Sequence, residues 1–299
     1  MRSRPLRVIA VTLGIFVGVA ALFLVVTGLS LRGGGDGGAR LFSARVAIVE
    51  LEGVILEVDD IVRDLKAHRD NALVKAVVIR INSPGGVVGP TQEIHQALLR
   101  VREAGKPVVA SLGSIAASGG YYAAVAADRI LANPGTLTGS IGVIMQMANV
   151  DNLFKKVGVD YVVVKAGRYK DLGNFARAMT PEERRVLQTL LDDVHAQFID
   201  AVAMGRKLDR AEVVKFADGR VFSGAQAKSL GMVDDLGSLE DAVNVAARMA
   251  GLPVPPSVIR PSRRFSFFDL VRSQIGFRLD ALGFTPGLPR FRTPLYLMD

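Results

Sequence analysis

Val74-Lys-Ala-Val-Val-Ile-Arg-Ile-Asn-Ser-Pro-Gly-Gly86 joins an apolar, β-branched run to a sharp break in the chain. A run such as Val74 to Ile81 suits a strand buried on both faces, which is the usual state of strands in parallel sheets. The units around it fit the same reading. Val46-Ala-Ile-Val-Glu-Leu51 predicts a strand, and Leu56 to His68 places Ile61 and Leu65 at helical spacing. After Gly85-Gly86 a helical pattern resumes from Thr91 to Glu103, followed by a strand at Pro107–Ser111. Arg129–Ala132, Ile141–Ile144 and Tyr161–Lys165 read as further short strands. Thr180-Pro-Glu-Glu183 has the form of a helix cap, with proline in the first turn and acids at the positive end, opening a helix to about Arg206. Strands alternating with helices define an α/β fold with a mainly parallel sheet. Neither an internal repeat nor a heptad register is present.

The composition narrows the chemistry. Among 299 residues there is no cysteine, so disulfides and thiolate sites are excluded. Three histidines, His68, His95 and His195, are too few and too scattered for a His-rich metal site. No cofactor motif is present: neither Gly-Gly turn fits GxGxxG or a phosphate loop. The net charge of +8 sits at the ends. Arg2, Arg4 and Arg7 stand without an acid, and residues 252–299 hold seven arginines against Asp269, Asp280 and Asp299, leaving the body nearly neutral. Basic ends on a neutral body suit membrane-surface contacts and argue against a nucleic-acid partner.

Val8 to Leu29 is uncharged and long enough to cross a bilayer as a helix, which needs ~20 apolar residues. It exceeds a secretory h-region, and no A-x-A site follows it, so the expectation is an uncleaved anchor. The arginines before it belong on the cytoplasmic side, sending the rest of the chain outward. The domains then read as a cytoplasmic stub and anchor (1–30), a Gly-rich linker (31–43), a catalytic body (44–250) and a basic tail (251–299). In the tail, Pro253, Pro255, Pro256 and Pro261 interrupt regular structure. The segment from Arg263 to Leu282 could form an amphipathic helix on anionic lipid or on a neighbouring protomer, while Pro286–Asp299 reads equally as a disordered tail.

The chemistry centres on Ser111-Leu-Gly-Ser-Ile-Ala-Ala-Ser-Gly-Gly-Tyr-Tyr122. Ser118 stands at a strand-to-helix join directly before Gly119-Gly120. Such a serine either caps the helix or exposes a nucleophilic hydroxyl beside free first-turn N–H groups. A second Gly-Gly turn, Gly85-Gly86, could bring backbone donors to an oxyanion or be an ordinary turn. None of the three histidines has an evident route to Ser118. Lysine can act as base when desolvated, and Lys170, in Gly167-Arg-Tyr-Lys-Asp-Leu-Gly173 after the expected Tyr161–Lys165 strand, is the candidate; solvation is the ordinary fate of a loop lysine.

Four segments decide between these alternatives: Asn82-Ser-Pro-Gly-Gly86, Ser114-Ile-Ala-Ala-Ser-Gly-Gly-Tyr-Tyr122, Thr138-Gly-Ser-Ile-Gly-Val143 and Gly167-Arg-Tyr-Lys-Asp171. In this order they resemble the signal peptide peptidase A family, membrane-anchored bacterial serine peptidases of family S49 with the ClpP/crotonase fold of repeated β-β-α units. The resemblance covers residues 44–250 and fits the short, single-repeat form. It implies Ser118 as nucleophile, Lys170 as general base, Ser140 as the residue orienting the lysine, and Gly85 and Gly119 as oxyanion donors. It further implies homo-oligomers in which serine and lysine meet near protomer contacts, apolar peptide substrates such as signal-peptide remnants, and a bacterial inner-membrane location with the catalytic body outside the cytoplasm. A crotonase-type acyl-CoA enzyme and a non-catalytic membrane scaffold are the competing readings.

Overall fold

The computed structural model describes residues 43–260, an isolated position at Gly18, and the backbone of Leu295–Leu297. The expected anchor, the Gly-rich linker and the arginine-rich part of the tail lie outside the described residues. Among those described, no helix is long and apolar enough to cross a membrane.

The chain runs β1 (Arg45–Glu52), α1 (Asp59–Asp70), β2 (Val74–Ser83), β3 (Gly85–Val87), α2 (Val88–Glu103), β4 (Val108–Ala117) and α3 (Gly119–Ala124). It continues through β5 (Arg129–Ala132), β6 (Leu137–Gly139), α4 (Asp151–Val157), α5 (Pro181–Arg206) and α6 (Arg210–Val214). The last elements are β7 (Val221–Ser223), α7 (Gly224–Ser229), β8 (Asp235–Leu236), α8 (Leu239–Met249), β9 (Ser257–Ile259) and β10 (Leu295–Leu297). The main sheet has the order β7-β6-β4-β2-β1-β9, with β5 attached to β4 and β8 to β5. Every pairing in it is parallel except β6 with β7. This is the expected α/β architecture.

Alternation along the central strands explains the layers. Ala47, Val49 and Leu51 of β1, with Val77, Ile79 and Ile81 of β2, point into one core with Leu65 of α1, Leu98 of α2 and Phe198 of α5. Their neighbours Val46, Ile48, Ala76 and Val78 point the other way, onto Ala242, Val243, Ala246 and Ala247 of α8. Because both faces are covered, both sets of side chains must be apolar, and this is what the β-branched run at Val74 records. Each valine, leucine, isoleucine or phenylalanine among them contributes roughly 1.5–3 kcal/mol on full burial.

β4 carries the functional turn and is shared by two neighbours on one edge. Its first half, Val109–Leu112, pairs with β5, and its second half, Ile115–Ala117, with β6. Thr136 Oγ1 donates to Gly113 O at 2.6 Å and Thr138 Oγ1 to Ala116 O at 2.7 Å, holding β6 in place at the handover.

Two expected strands are not formed. Ile141–Ile144 forms an isolated bridge at Ile144 rather than a strand, and Gly219 N donates to Ile141 O at 3.1 Å. Tyr161–Lys165 is neither strand nor helix, and Val162 and Val164 are 81% and 96% exposed. A β-branched run becomes a strand only when another strand is there to pair with it. The cap at Thr180 is formed as expected: its Oγ1 accepts from Glu183 N, the Glu183 carboxylate accepts from Thr180 N, and α5 ends at Arg206. The sheet also extends past residue 250, because β9 pairs with the start of β1. α8 and β7 are elements that sequence periodicity did not bring out.

Candidate active site

Three parallel strands end side by side, and their C-terminal ends hold Gly85, Ser118, Gly119 and Ser140 of the residues singled out from the sequence. Ligand sites in α/β sheets form at this edge. β2 ends in Ser83 and runs through Pro84 into Gly85-Gly86; β4 ends at Ala117, before Ser118; β6 ends at Gly139, before Ser140.

Ser118 is held from both sides by its backbone. Its N–H donates to Gly139 O at 2.8 Å, and its carbonyl accepts from Tyr122 N at 2.8 Å. Together these bonds turn the chain from strand into helix within one residue, at φ 51° and ψ −118°. A non-glycine residue here is strained by about 1–3 kcal/mol, and residues in such conformations cluster at functional sites. The simple capping alternative is not realised, since the Ser118 side chain makes no cap hydrogen bond. Its Oγ is fully buried and has no hydrogen-bond partner among the described residues. A buried hydroxyl left unpaired is unfavourable by roughly 1–3 kcal/mol. Below it, Tyr121 fixes the helix: its ring is fully buried and its hydroxyl donates to Met232 O at 2.8 Å.

The two Gly-Gly turns meet. A Cβ on Gly119 would stand 2.8 Å from Thr91 Oγ1 and 3.2 Å from both Gly85 Cα and Gly86 N. A Cβ on Gly120 would meet Ser83 O at 2.8 Å. Only glycine lets the backbones approach this closely. Gly85 has φ 106° and donates its N–H to Ser83 Oγ at 3.1 Å, so an oxyanion would compete with that hydroxyl for the donor. Gly119 is the first residue of α3, and first-turn N–H groups have no partner within their helix. Ser140, nearly buried, also has positive φ (49°) and donates its N–H to Arg220 O at 2.9 Å.

Lys170 stands apart from this group. It is exposed, in a turn closed by Lys170 N donating to Gly167 O at 3.2 Å, and its amine bonds to none of the described residues. The turn itself is anchored by charge. Lys165 pairs with Asp171; Arg177 Nε donates to Asp171 Oδ2 at 3.0 Å; and the same guanidinium grips both Glu183 oxygens. Hydrogen bonds from Arg177 hold the carboxyl groups of Asp171 and Glu183 well below the usual carboxylate range, that of Glu183 at about 2. This network ties the Lys170 turn to the capping box of α5.

The segment that carries the turn has a part-exposed aromatic cluster of its own. Phe154, Tyr161 and Phe175 form a triangle with ring centroids 5.3–6.2 Å apart. Around it, Leu153, Val157, Val162 and Val164 are left exposed.

Among the described residues neither a histidine nor Lys170 bonds Ser118 Oγ. His95 packs edge-on against Tyr122 with centroids 5.0 Å apart; burial, helped by Arg102, pushes its pKa down to about 4. Sequence reasoning passed over Ser83, Gly86, Thr91 and the Asp171–Arg177–Glu183 network. Ser83 and Gly86 lay inside a quoted motif; the ion pairs had no signal, since charged residues near a loop are ordinary.

The arrangement is a buried serine at a strained turn, with backbone donors crowded beside it by glycine and a lysine on a separately braced turn. The family model for peptidase family S49 matches residues 100–253, and the chain belongs to that family. The Synechocystis sp. protein named "Putative protease slr0021" is 51% identical over 59% of this chain and 64% of its own length. Protease 4 of Haemophilus influenzae is 37% identical over 69% of this chain and 35% of its own length. The chloroplastic serine protease SPPA of Arabidopsis thaliana is 33% identical over 69% and 30%. The chain thus spans less than two thirds of the length of each of these relatives. A solved structure of a ClpP1 mutant from Listeria monocytogenes covers 66% of this chain and 94% of its own, with TM-score 0.45 and 18% identity.

Proposed function

We propose that this chain is a serine endopeptidase with Ser118 as nucleophile and Lys170 as general base. The observation that carries the reading is the unpartnered, buried Ser118 Oγ at a positive-φ turn, beside the glycine pair Gly85 and Gly119. Ser118 Oγ attacks a peptide carbonyl carbon while the neutral amine of Lys170 takes its proton. The resulting oxyanion is held by the N–H groups of Gly119 and Gly85. As the C–N bond breaks, the lysine ammonium gives its proton to the leaving amine. Water, deprotonated by Lys170, then cleaves the acyl ester and restores Ser118.

A base in solvent and a nucleophile with no partner among the described residues favour a dyad completed between copies. The exposed apolar side chains around Val162 and Val164 suit burial against a second protomer. That burial would also favour the neutral form that a lysine base needs. Ser140, directly after the residue that anchors Ser118, is the proposed positioning residue for the amine. The ClpP/crotonase type of fold is part of this reading, as are a membrane anchor at Val8–Leu29, lipid contact and an extracytoplasmic body at the bacterial inner membrane. Apolar peptides, signal-peptide remnants among them, are the proposed substrates.

The test uses full-length protein in detergent on an apolar fluorogenic peptide. Ser118→Ala and Lys170→Ala should each lose more than the ~10²–10³ lost with one oxyanion donor. Product release equal to that of the unaltered protein would dismiss the mechanism.

A further inference from the structure

The sheet has a second end, away from the serine. β1, β2 and β4 begin there side by side, at Arg45, Val74 and Val108, and α1 and α2 run back to finish beside them, at Asp70 and Glu103. The chain also enters the body here, where Arg45 N donates to Leu73 O at 2.9 Å. Cations crowd this edge. Lys106 Nζ donates to His68 O at 2.9 Å and to Asn71 O at 2.7 Å, closing the end of α1. Arg69 pairs with Asp70, and Arg102 with Asp128. With those two acids taken up, Glu103 is left against Lys66, Lys75 and Arg100, which are exposed and whose side chains bond to none of the described residues. Toward the same edge, α1 and α2 part to form a cleft of about 210 Å³, lined by the apolar Val62, Leu65 and Ala97 and by the cationic Lys66, Arg69 and Arg100. An anionic phospholipid offers the complementary pair, a phosphate beside acyl chain. In sequence, the uncharged run Val8–Leu29 is separated from Arg45 only by residues 30–44, which span at most about 50 Å when extended.

We propose that this edge is the membrane-facing surface of the body, with Lys66, Lys75 and Arg100 on anionic phospholipid headgroups and the cleft between α1 and α2 taking one phosphate. This inference rests on the membrane-anchor part of the function proposed above. Ser118 follows the far end of β4, a strand of 10 residues, which sets it roughly 30 Å from the headgroups. A peptide still held in the bilayer would have to expose about ten extended residues to reach it. Peptides already released from the bilayer are the substrates that this placement favours.

The test uses the absence of cysteine, which lets a single introduced cysteine carry a fluorophore. Ala104→Cys marks this edge, at an exposed position; Gly135→Cys marks the end that holds Ser118, where a Cβ meets nothing within 4 Å. Each labelled full chain is reconstituted into phosphatidylcholine vesicles with or without phosphatidylglycerol, a fraction of the headgroups carrying a nitroxide quencher. In phosphatidylglycerol vesicles, quenching at 104 should be several-fold that at 135. It should fall to the level at 135 in phosphatidylcholine alone and in high salt. The same fall is expected when Lys66, Lys75 and Arg100 are all changed to Gln, in a variant whose thermal unfolding should match that of the unaltered chain. Each cation near an anionic surface strengthens the attraction about fivefold, so losing three weakens it about a hundredfold. Equal quenching at both positions, or a triple variant quenched as strongly as the unaltered chain, with the chain still floating with vesicles in high salt, would overturn the surface assignment alone. Protection of 104 from a water-soluble quencher, without headgroup quenching, would overturn it in favour of a second copy of the chain. Quenching at 104 with flotation lost in high salt would uphold the surface and overturn the anchor.

Discussion

Gly119→Ala should disable the site while leaving the fold standing. The added methyl would lie 2.8 Å from Thr91 Oγ1 and 3.2 Å from Gly85 Cα and Gly86 N. The first of these distances is closer than real Cβ contacts come, and the other two are tight. Thr91 cannot swing away freely: it is fully buried and its Oγ1 donates to Val87 O at 2.8 Å. The backbones of the two turns must therefore move apart by a few tenths of an ångström. Overpacking of this kind destabilises by about 1–3 kcal/mol, which a domain with a core on both sheet faces should tolerate. The reaction is less forgiving, because oxyanion donors act only at hydrogen-bond distance, and losing one lowers turnover ~10²–10³-fold. The assay is kcat on an apolar fluorogenic peptide, with thermal unfolding run in parallel. Gly135→Ala is the control, since a Cβ there meets nothing within 4 Å. Near-normal kcat in Gly119→Ala would refute the role given to the paired glycine turns.

Three more outcomes follow from the same geometry. His95 is held neutral by burial, with a pKa of about 4 against the usual 6.5. The unfolded chain binds that proton first, so the folded state keeps its full stability above about pH 6.5 and loses up to about 3 kcal/mol as the pH falls toward 4; urea unfolding at pH 7 and 4.5 should show the loss, and His95→Phe should flatten it. Arg177→Gln leaves Asp171 and Glu183 without their shared cation; limited proteolysis within 165–178 should speed up several-fold and kcat should fall, with labelling of Ser118 by small reagents unchanged. Mixing inactive Ser118→Ala and Lys170→Ala chains after dissociation should restore part of the activity if the dyad forms between copies, and none if it forms within one.

The fold was legible wherever burial on both faces forced a continuous apolar run. Val74–Ile81 and Arg129–Ala132 are strands because neighbouring strands and helices cover them, and their composition records that cover. Val162 and Val164 carry the same composition but pair with no strand among the described residues, and composition alone does not report whether a partner strand is present. β3 and β6, at three residues each, were too short to show a pattern. In the site, glycine and serine were readable because close backbone approach and positive φ restrict which residues fit. Gly85, Gly119 and Ser118 fall together for that reason. The brace on the Lys170 turn was not readable: Asp171, Arg177 and Glu183 look like any surface charges until the chain folds them into one network.

Whether Ser118 is the nucleophile is settled most directly by covalent capture. Full-length protein is treated with a fluorophosphonate and analysed by intact mass and peptide mapping, beside Ser118→Ala. A single adduct on Ser118, formed in step with loss of peptide hydrolysis and absent from the variant, is the outcome expected. Hydrolysis that continues unchanged in Ser118→Ala, or an adduct that inactivates the protein from another residue, would contradict it.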